Sequence, residues 1–343
     1  MNASGEPGWW AGLWRRPVTL ATTLRRTALA AMQHDALTVA QATAYSAIVA
    51  LFPGLIVAAA VVGLLPEWLP LRSPLAMFFD RVLPPNVSPI LESYFAVGTA
   101  AVHKSPQTAR ALVSAAVVSL VGAASVMATL MEGFRRAHHL PLPRRSFWPR
   151  RRRALELVPL SLLPMTAASA LVVFGHVLTL WMASKFGTGM RVPVYVLALG
   201  VRWSIALAGS VGIIAVIYHL GTDVTTQLSE HLTPPDIEPL LRQPMQILRK
   251  QWSWKASLPG ATLATLLWFV TTLVFGLYVT RFANYSRVYG SLGAAIALLF
   301  WLYIIALCVL IGAEFNAQLV SQRQARERAE EKLEGDAAVM QVE

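Results

Sequence analysis

The chain has 343 residues, 55% of them apolar and only 14% charged, with a mean hydropathy of +0.52. Soluble domains carry roughly 25% charged residues, so this balance, in runs long enough to cross hydrocarbon, excludes an ordinary soluble protein and predicts an integral membrane one. The net charge of +11 then reads as basic cytoplasmic loops facing anionic headgroups rather than as nucleic-acid binding, and the single cysteine, Cys308, excludes an intrachain disulfide framework or a thiolate zinc cluster.

The predicted elements begin with a cytoplasmic N-terminal arm, residues 1–42, that shows no short apolar core with a small-residue cleavage site and so predicts no removable signal peptide. Within it, Leu20, Leu24, Ala28 and Ala31 recur at helical spacing beside Arg25 and Arg26. That pattern predicts a helix lying on the inner membrane surface. A membrane domain, 43–320, follows, with six runs of about 20 apolar residues or more. They fall at about 43–65, 109–131, 155–184, 193–220, 258–281 and 290–315. The expected fold is all-α: a bundle of six transmembrane helices with amphipathic surface helices. Pro53-Gly54 interrupts the first span and predicts a kink there. Residues 71–100, broken by Pro84-Pro85, read as short helices capping the outer face. Residues 222–256 read as a cytoplasmic insertion. The tail, 321–343, is charged, and Arg323/Glu327 and Arg326/Glu330 at i,i+4 suggest that the last helix continues into water.

Twenty of the 29 Lys and Arg residues lie in the N-terminal arm, the 2–3 loop, the 4–5 loop and the tail. This bias predicts that both termini are cytoplasmic, and an even number of spans agrees with that. The 2–3 loop is the most basic, with Arg135, Arg136, Arg144, Arg145 and the run Arg150 to Arg153.

Enzyme motifs are missing. The chain has no P-loop, no G-x-S-x-G, no H-E-x-x-H and no dinucleotide glycine fingerprint, so no catalytic residue, metal or cofactor is predicted. Polar groups inside spans are the better candidates, because ionisable side chains in lipid are costly. Arg202 stands nine residues past Pro193, about 14 Å along a helix. It either lines a polar cavity or bonds backbone carbonyls of a neighbouring span. Glu314 follows about 24 residues of the sixth span, roughly 36 Å of rise, which places it at the inner border. Its expected partners are Arg135, Arg136, His219 or backbone near Pro259-Gly260. Asn316, roughly 200° away around the helix, serves another contact. Gly290, Gly293 and Ala297 permit close helix approach at the outer end of the same span.

Residues 258–319, with Tyr289-Gly290-Ser291-Leu292-Gly293 and Gly312-Ala313-Glu314-Phe315-Asn316-Ala317, resemble the C-terminal signature of the YihY/BrkB family of bacterial inner-membrane proteins. "AYSAIVALFPGL", 44–55, is similar to that family's first span, and "MEGFRRAHHL", 131–140, to its next motif. The resemblance implies a six-span fold in the bacterial cytoplasmic membrane, an association with envelope integrity, and a role in moving lipids or lipid-linked precursors. It also brings an old ribonuclease label, which no metal-binding constellation in this sequence supports. The expected function is therefore a transporter or lipid-translocating protein, with a non-transporting scaffold or envelope assembly factor as the alternative. Tyr45, Pro53, Glu132, Arg136, Arg202, Tyr289, Gly290, Gly293, Glu314 and Asn316 are the candidate cavity or latch residues. The expected partners are membrane lipids, above all anionic headgroups, and the sequence is compatible with a homo-oligomer.

Overall fold

A chain in hydrocarbon has no water to satisfy its peptide groups, so apolar runs of this length close their own hydrogen bonds as helices. In the computed structural model, residues 17–63, 106–140, 148, 151–161, 188–222, 254–281 and 291–340 are described, and among these no strand occurs. The helices are α1 (Pro17–Gln33), α2 (Ala36–Gly63), α3 (Pro106–Ala137), α4 (Thr188–Thr222), α5 (Trp254–Arg281) and α6 (Ser291–Met340), with a further helical stretch at 151–161. Among the described residues five stretches are long and apolar enough to cross a membrane: Ala36–Ala58, Leu112–Ala137, Tyr195–Thr222, Ala256–Val279 and Ala295–Arg326. The remaining expected span, 155–184, lies mostly outside the described residues, as do residues 71–100 and most of 222–256.

Small residues set the helix contacts. Thr43 donates to Thr129 Oγ1 at 3.1 Å, a Cβ on Gly122 would meet Ala50, and one on Gly54 would meet Ser119. These pairs run α2 and α3 antiparallel at close approach, the mode by which helices associate where lipid removes the hydrophobic drive. α2 stays helical through Pro53, where the sequence predicts a kink; Gly54 and Ala50, packed on α3, flank it. On the other side of the bundle, Gly260 of α5 meets Gly312 of α6 so closely that a Cβ on either would strike the other's carbonyl oxygen.

The buried core gathers at one end. Val39 and Ala40 of α2, Leu130 and Phe134 of α3, Ala215 and Tyr218 of α4, Ala261 and Ala264 of α5, and Leu310 and Ala313 of α6 form one cluster. Phe134 and Tyr218 meet edge to face, 5.2 Å between centroids. Away from this end, α3, α4 and α5 expose apolar side chains such as Val113, Leu197 and Val274, as helices facing lipid do.

α1 forms where expected. Leu24 and Ala28 are exposed, while Thr23, Thr27, Ala30 and Ala31 are buried, and the helix packs along α6. Threonine can be buried there because its hydroxyl bonds within its own helix. Thr27 Oγ1 donates to the Thr23 carbonyl at 2.9 Å, and Gln322 Nε2 of α6 donates to Thr23 Oγ1 at 3.2 Å. α6 itself runs unbroken into the charged tail.

Candidate functional site at the charged end of the bundle

Two turns build this end. The α1–α2 turn passes through His34 and Asp35, with Asp35 in the left-handed region at φ 58°. Aspartate tolerates that conformation, and its carbonyl accepts from Val39 N at 3.0 Å to start α2. At the end of α3, His139 is left-handed at φ 53°, its N–H bonds the Arg136 carbonyl, and Leu140 N bonds the Arg135 carbonyl. That double bond pattern is a Schellman stop, with histidine where glycine is usual. These are the two non-glycine positive-φ residues among those described, and they flank the same cluster.

Glu314 of α6 points into that cluster. It is 2% exposed, and its Oε1 lies 2.7 Å from His34 Nδ1. Its Oε2 is buried and accepts no hydrogen bond. His34 in turn stands edge to face against His139, 4.7 Å between centroids. Beside them, Glu132 of α3 accepts from Arg135 Nε at 2.9 Å, from Arg135 Nη2 at 2.6 Å and from Arg136 Nε at 3.2 Å. Arg136 Nη1 reaches back to Asp35 Oδ2 at 3.4 Å. His138, just past the apolar part of α3, holds its Nδ1 2.9 Å from the Phe134 carbonyl, and burial pushes its pKa down to about 4.

The expected partner of Glu314 is therefore corrected. It bonds neither Arg135, Arg136, His219 nor backbone near Gly260, but a histidine 280 residues away. The arginines are occupied by Glu132, which the same helix brings to them at i+3 and i+4. The backbone contact near Pro259 belongs to Asn316 instead. Its Oδ1 accepts from Gly260 N at 2.7 Å, and its Nδ2 donates to the Ser257 carbonyl at 3.1 Å. Pro259 lies inside α5 and disturbs that ladder by lacking an N–H. Asn316 repairs it from the neighbouring helix. Tyr218 of α4 completes the end by donating to the Val309 carbonyl of α6.

The other sequence candidates lie apart. Tyr45 is 68% exposed on α2, Pro53 is further along the same helix, and Gly293 is buried at the start of α6. Tyr289 and Gly290 fall outside the described residues. Arg202 stands 16 residues before Tyr218 on α4, roughly 24 Å of rise from the cluster. In the basic run, Arg151 is spent on α3, donating to Ser125 Oγ at 2.6 Å and to the Val121 carbonyl at 3.1 Å; Arg153 reaches the Leu220 carbonyl. Sequence reading missed His34 and Asp35, since a histidine between two helices carries no local sign of a distant carboxylate. Among the described residues no group of three His, Cys, Asp or Glu side chains is placed to hold a metal.

An all-helical domain with several apolar spans and a charge cluster at one end defines an integral membrane protein. The chain belongs to the Virulence factor BrkB family, whose profile matches residues 28–234 and 246–336. Relatives include the ribonuclease-like protein YfkH of Bacillus subtilis (strain 168), 39% identical over 22% of this chain and 27% of that protein. A UPF0761 membrane protein of Tolumonas auensis is 47% identical over 19% of this chain and 22% of its own length. One from Rhodospirillum centenum is 32% identical over 35% and 28% respectively. The similarity thus spans under a third of each of these relatives. No solved structure matches the chain.

Proposed function

We propose that this protein is a transporter or lipid-translocating protein of the bacterial cytoplasmic membrane. In this reading both termini are inside and the Glu314–His34 contact is a latch at the inner end. The observation that carries it is the state of Glu314: nearly wholly buried, bonded by one oxygen to a separate turn, and unpartnered at the other. A carboxylate removed from water costs several kcal/mol unless it is fully paired, and ionisable groups in membrane domains are functional by default. A closure held by one such contact can be opened by anything that offers the carboxylate a better partner. Arg136, the more exposed of the two arginines on Glu132, would meet anionic headgroups at the same end.

The packed Gly260–Gly312 seam, locked by Asn316, favours the second reading, a non-transporting scaffold or assembly factor. Reconstitution into vesicles with labelled phospholipids separates the two. Transport predicts redistribution above the protein-free rate, altered by Glu314→Gln and by His34→Ala. Wild type at the protein-free rate removes the transporter reading and leaves the scaffold. Reporter fusions at each terminus test the orientation; an external C-terminus contradicts it.

A further inference from the structure

Among the described residues five buried side-chain atoms have no hydrogen-bond partner. Apart from Glu314 Oε2, they are Arg202 Nε, Arg202 Nη1, Trp268 Nε1 and Thr272 Oγ1. All four can donate, and they lie on two neighbouring helices, α4 and α5. Trp203 and Phe269, the residues next to Arg202 and Trp268, meet at 6.4 Å between ring centroids, which sets both segments at one level of the α4–α5 seam. Trp268 and Thr272, four apart, share a face of α5. A buried polar atom normally has a partner, so unpartnered donors at one level of two packed helices, a guanidinium among them, leave room for an acceptor.

Among the described residues no carboxylate lies at that level. Neither α2, α4 nor α5 contains an Asp or Glu, and the first carboxylate on α6 is Glu314. Glu132, Glu156 and Glu314 are on segments packed at or near the charged end, about 24 Å of helix away. Arg202 is seven residues into the apolar stretch that begins at Tyr195, or roughly 10 Å. Arginine binds phosphate with charge-assisted hydrogen bonds, and Trp N–H and Thr O–H add neutral donors to the same oxygens.

We propose that Arg202, Trp268 and Thr272 form a binding site for a phosphate oxyanion, whose membrane source is the phosphodiester of an anionic phospholipid. This names the substrate class for the transport reading above and rests on it only for its role in translocation, not for binding. A phosphate at that depth lies inside the apolar zone, where a headgroup in transit needs a cation and donors in place of water.

The test is native mass spectrometry of the full chain in neutral detergent, titrated with phosphatidylglycerol, phosphatidylcholine or inorganic phosphate. Wild type should hold one phosphatidylglycerol more than Arg202→Gln does, at about tenfold higher affinity for that site, the size of loss expected for a charged hydrogen bond. Trp268→Phe keeps the charge and the packing and should weaken the same adduct several-fold. Phosphatidylcholine should be held less well by wild type and alike in all variants. Arg202-dependent binding of inorganic phosphate without phosphatidylglycerol supports the site with a soluble oxyanion as occupant. Equal binding of both phosphate sources by wild type, Arg202→Gln and Trp268→Phe overturns it. Arg202-dependent binding without lipid movement in vesicles leaves this site standing and removes the transport reading; movement without Arg202-dependent binding does the reverse.

Discussion

Removing His34 should destabilise the protein more than removing the charge of Glu314, although the two share one contact. The reason is their unequal exposure: the Glu314 side chain is 3% exposed and that of His34 17%. His34→Ala leaves both carboxylate oxygens buried and unpartnered. Stripping the partner from a buried ion costs about 3–5 kcal/mol. Glu314→Gln keeps an oxygen that can accept from His34 and replaces the unpartnered Oε2 with an amide nitrogen. Its cost should be about 1–2 kcal/mol, the difference between a charged and a neutral hydrogen bond. In a double-mutant cycle with Glu314→Ala and His34→Ala, the coupling should reach about 1.5–3 kcal/mol. Reversible unfolding in mixed micelles, followed by helical circular dichroism, measures all of these. Additivity within about 0.5 kcal/mol, the scatter of independent sites, would refute the contact as a latch, and so would Glu314→Gln costing more than His34→Ala.

Three further outcomes follow from the same end of the bundle. Asn316→Ala removes two hydrogen bonds to the backbone around Pro259 and should cost about 1–3 kcal/mol; unchanged unfolding would show that α5 repairs itself. Gly312→Ala drives a Cβ into Tyr218, the Gly260 carbonyl and Ala264. It should therefore cost at least the 1–3 kcal/mol typical of overpacking, and a stable Gly312→Ala protein would mean that the α5–α6 seam can open without loss. His138, whose pKa burial pushes from an ordinary 6.5 down to about 4, binds fewer protons folded than unfolded between those pH values. Stability should therefore rise with pH across that window and be lost as pH falls through it, by at most about 1.4 kcal/mol per pH unit. The residue keeps some exposure, so the measured slope should lie below that ceiling. His138→Gln should flatten this part of the stability profile, and an unaltered slope would assign it to other groups.

Apolar run length and charge distribution determined, from the sequence alone, that the chain is a helical membrane protein. They also marked its last span as ending on a carboxylate and an amide that pure hydrocarbon would not need. Both statements rest on local quantities: 1.5 Å of rise per residue, and the cost of a charge in lipid. Tertiary structure alone decided what those side chains touch. Glu314 found His34 across 280 residues, and Asn316 took the backbone contact that the carboxylate was expected to make. Likewise the packing of α1 on α6 chose Thr23 and Thr27 as its buried polar residues. Helical spacing tells which residues share a face, but in a membrane domain the outside is as apolar as the inside. Hydrophobicity therefore stops marking the buried face, and only the packing of one helix on another selects it.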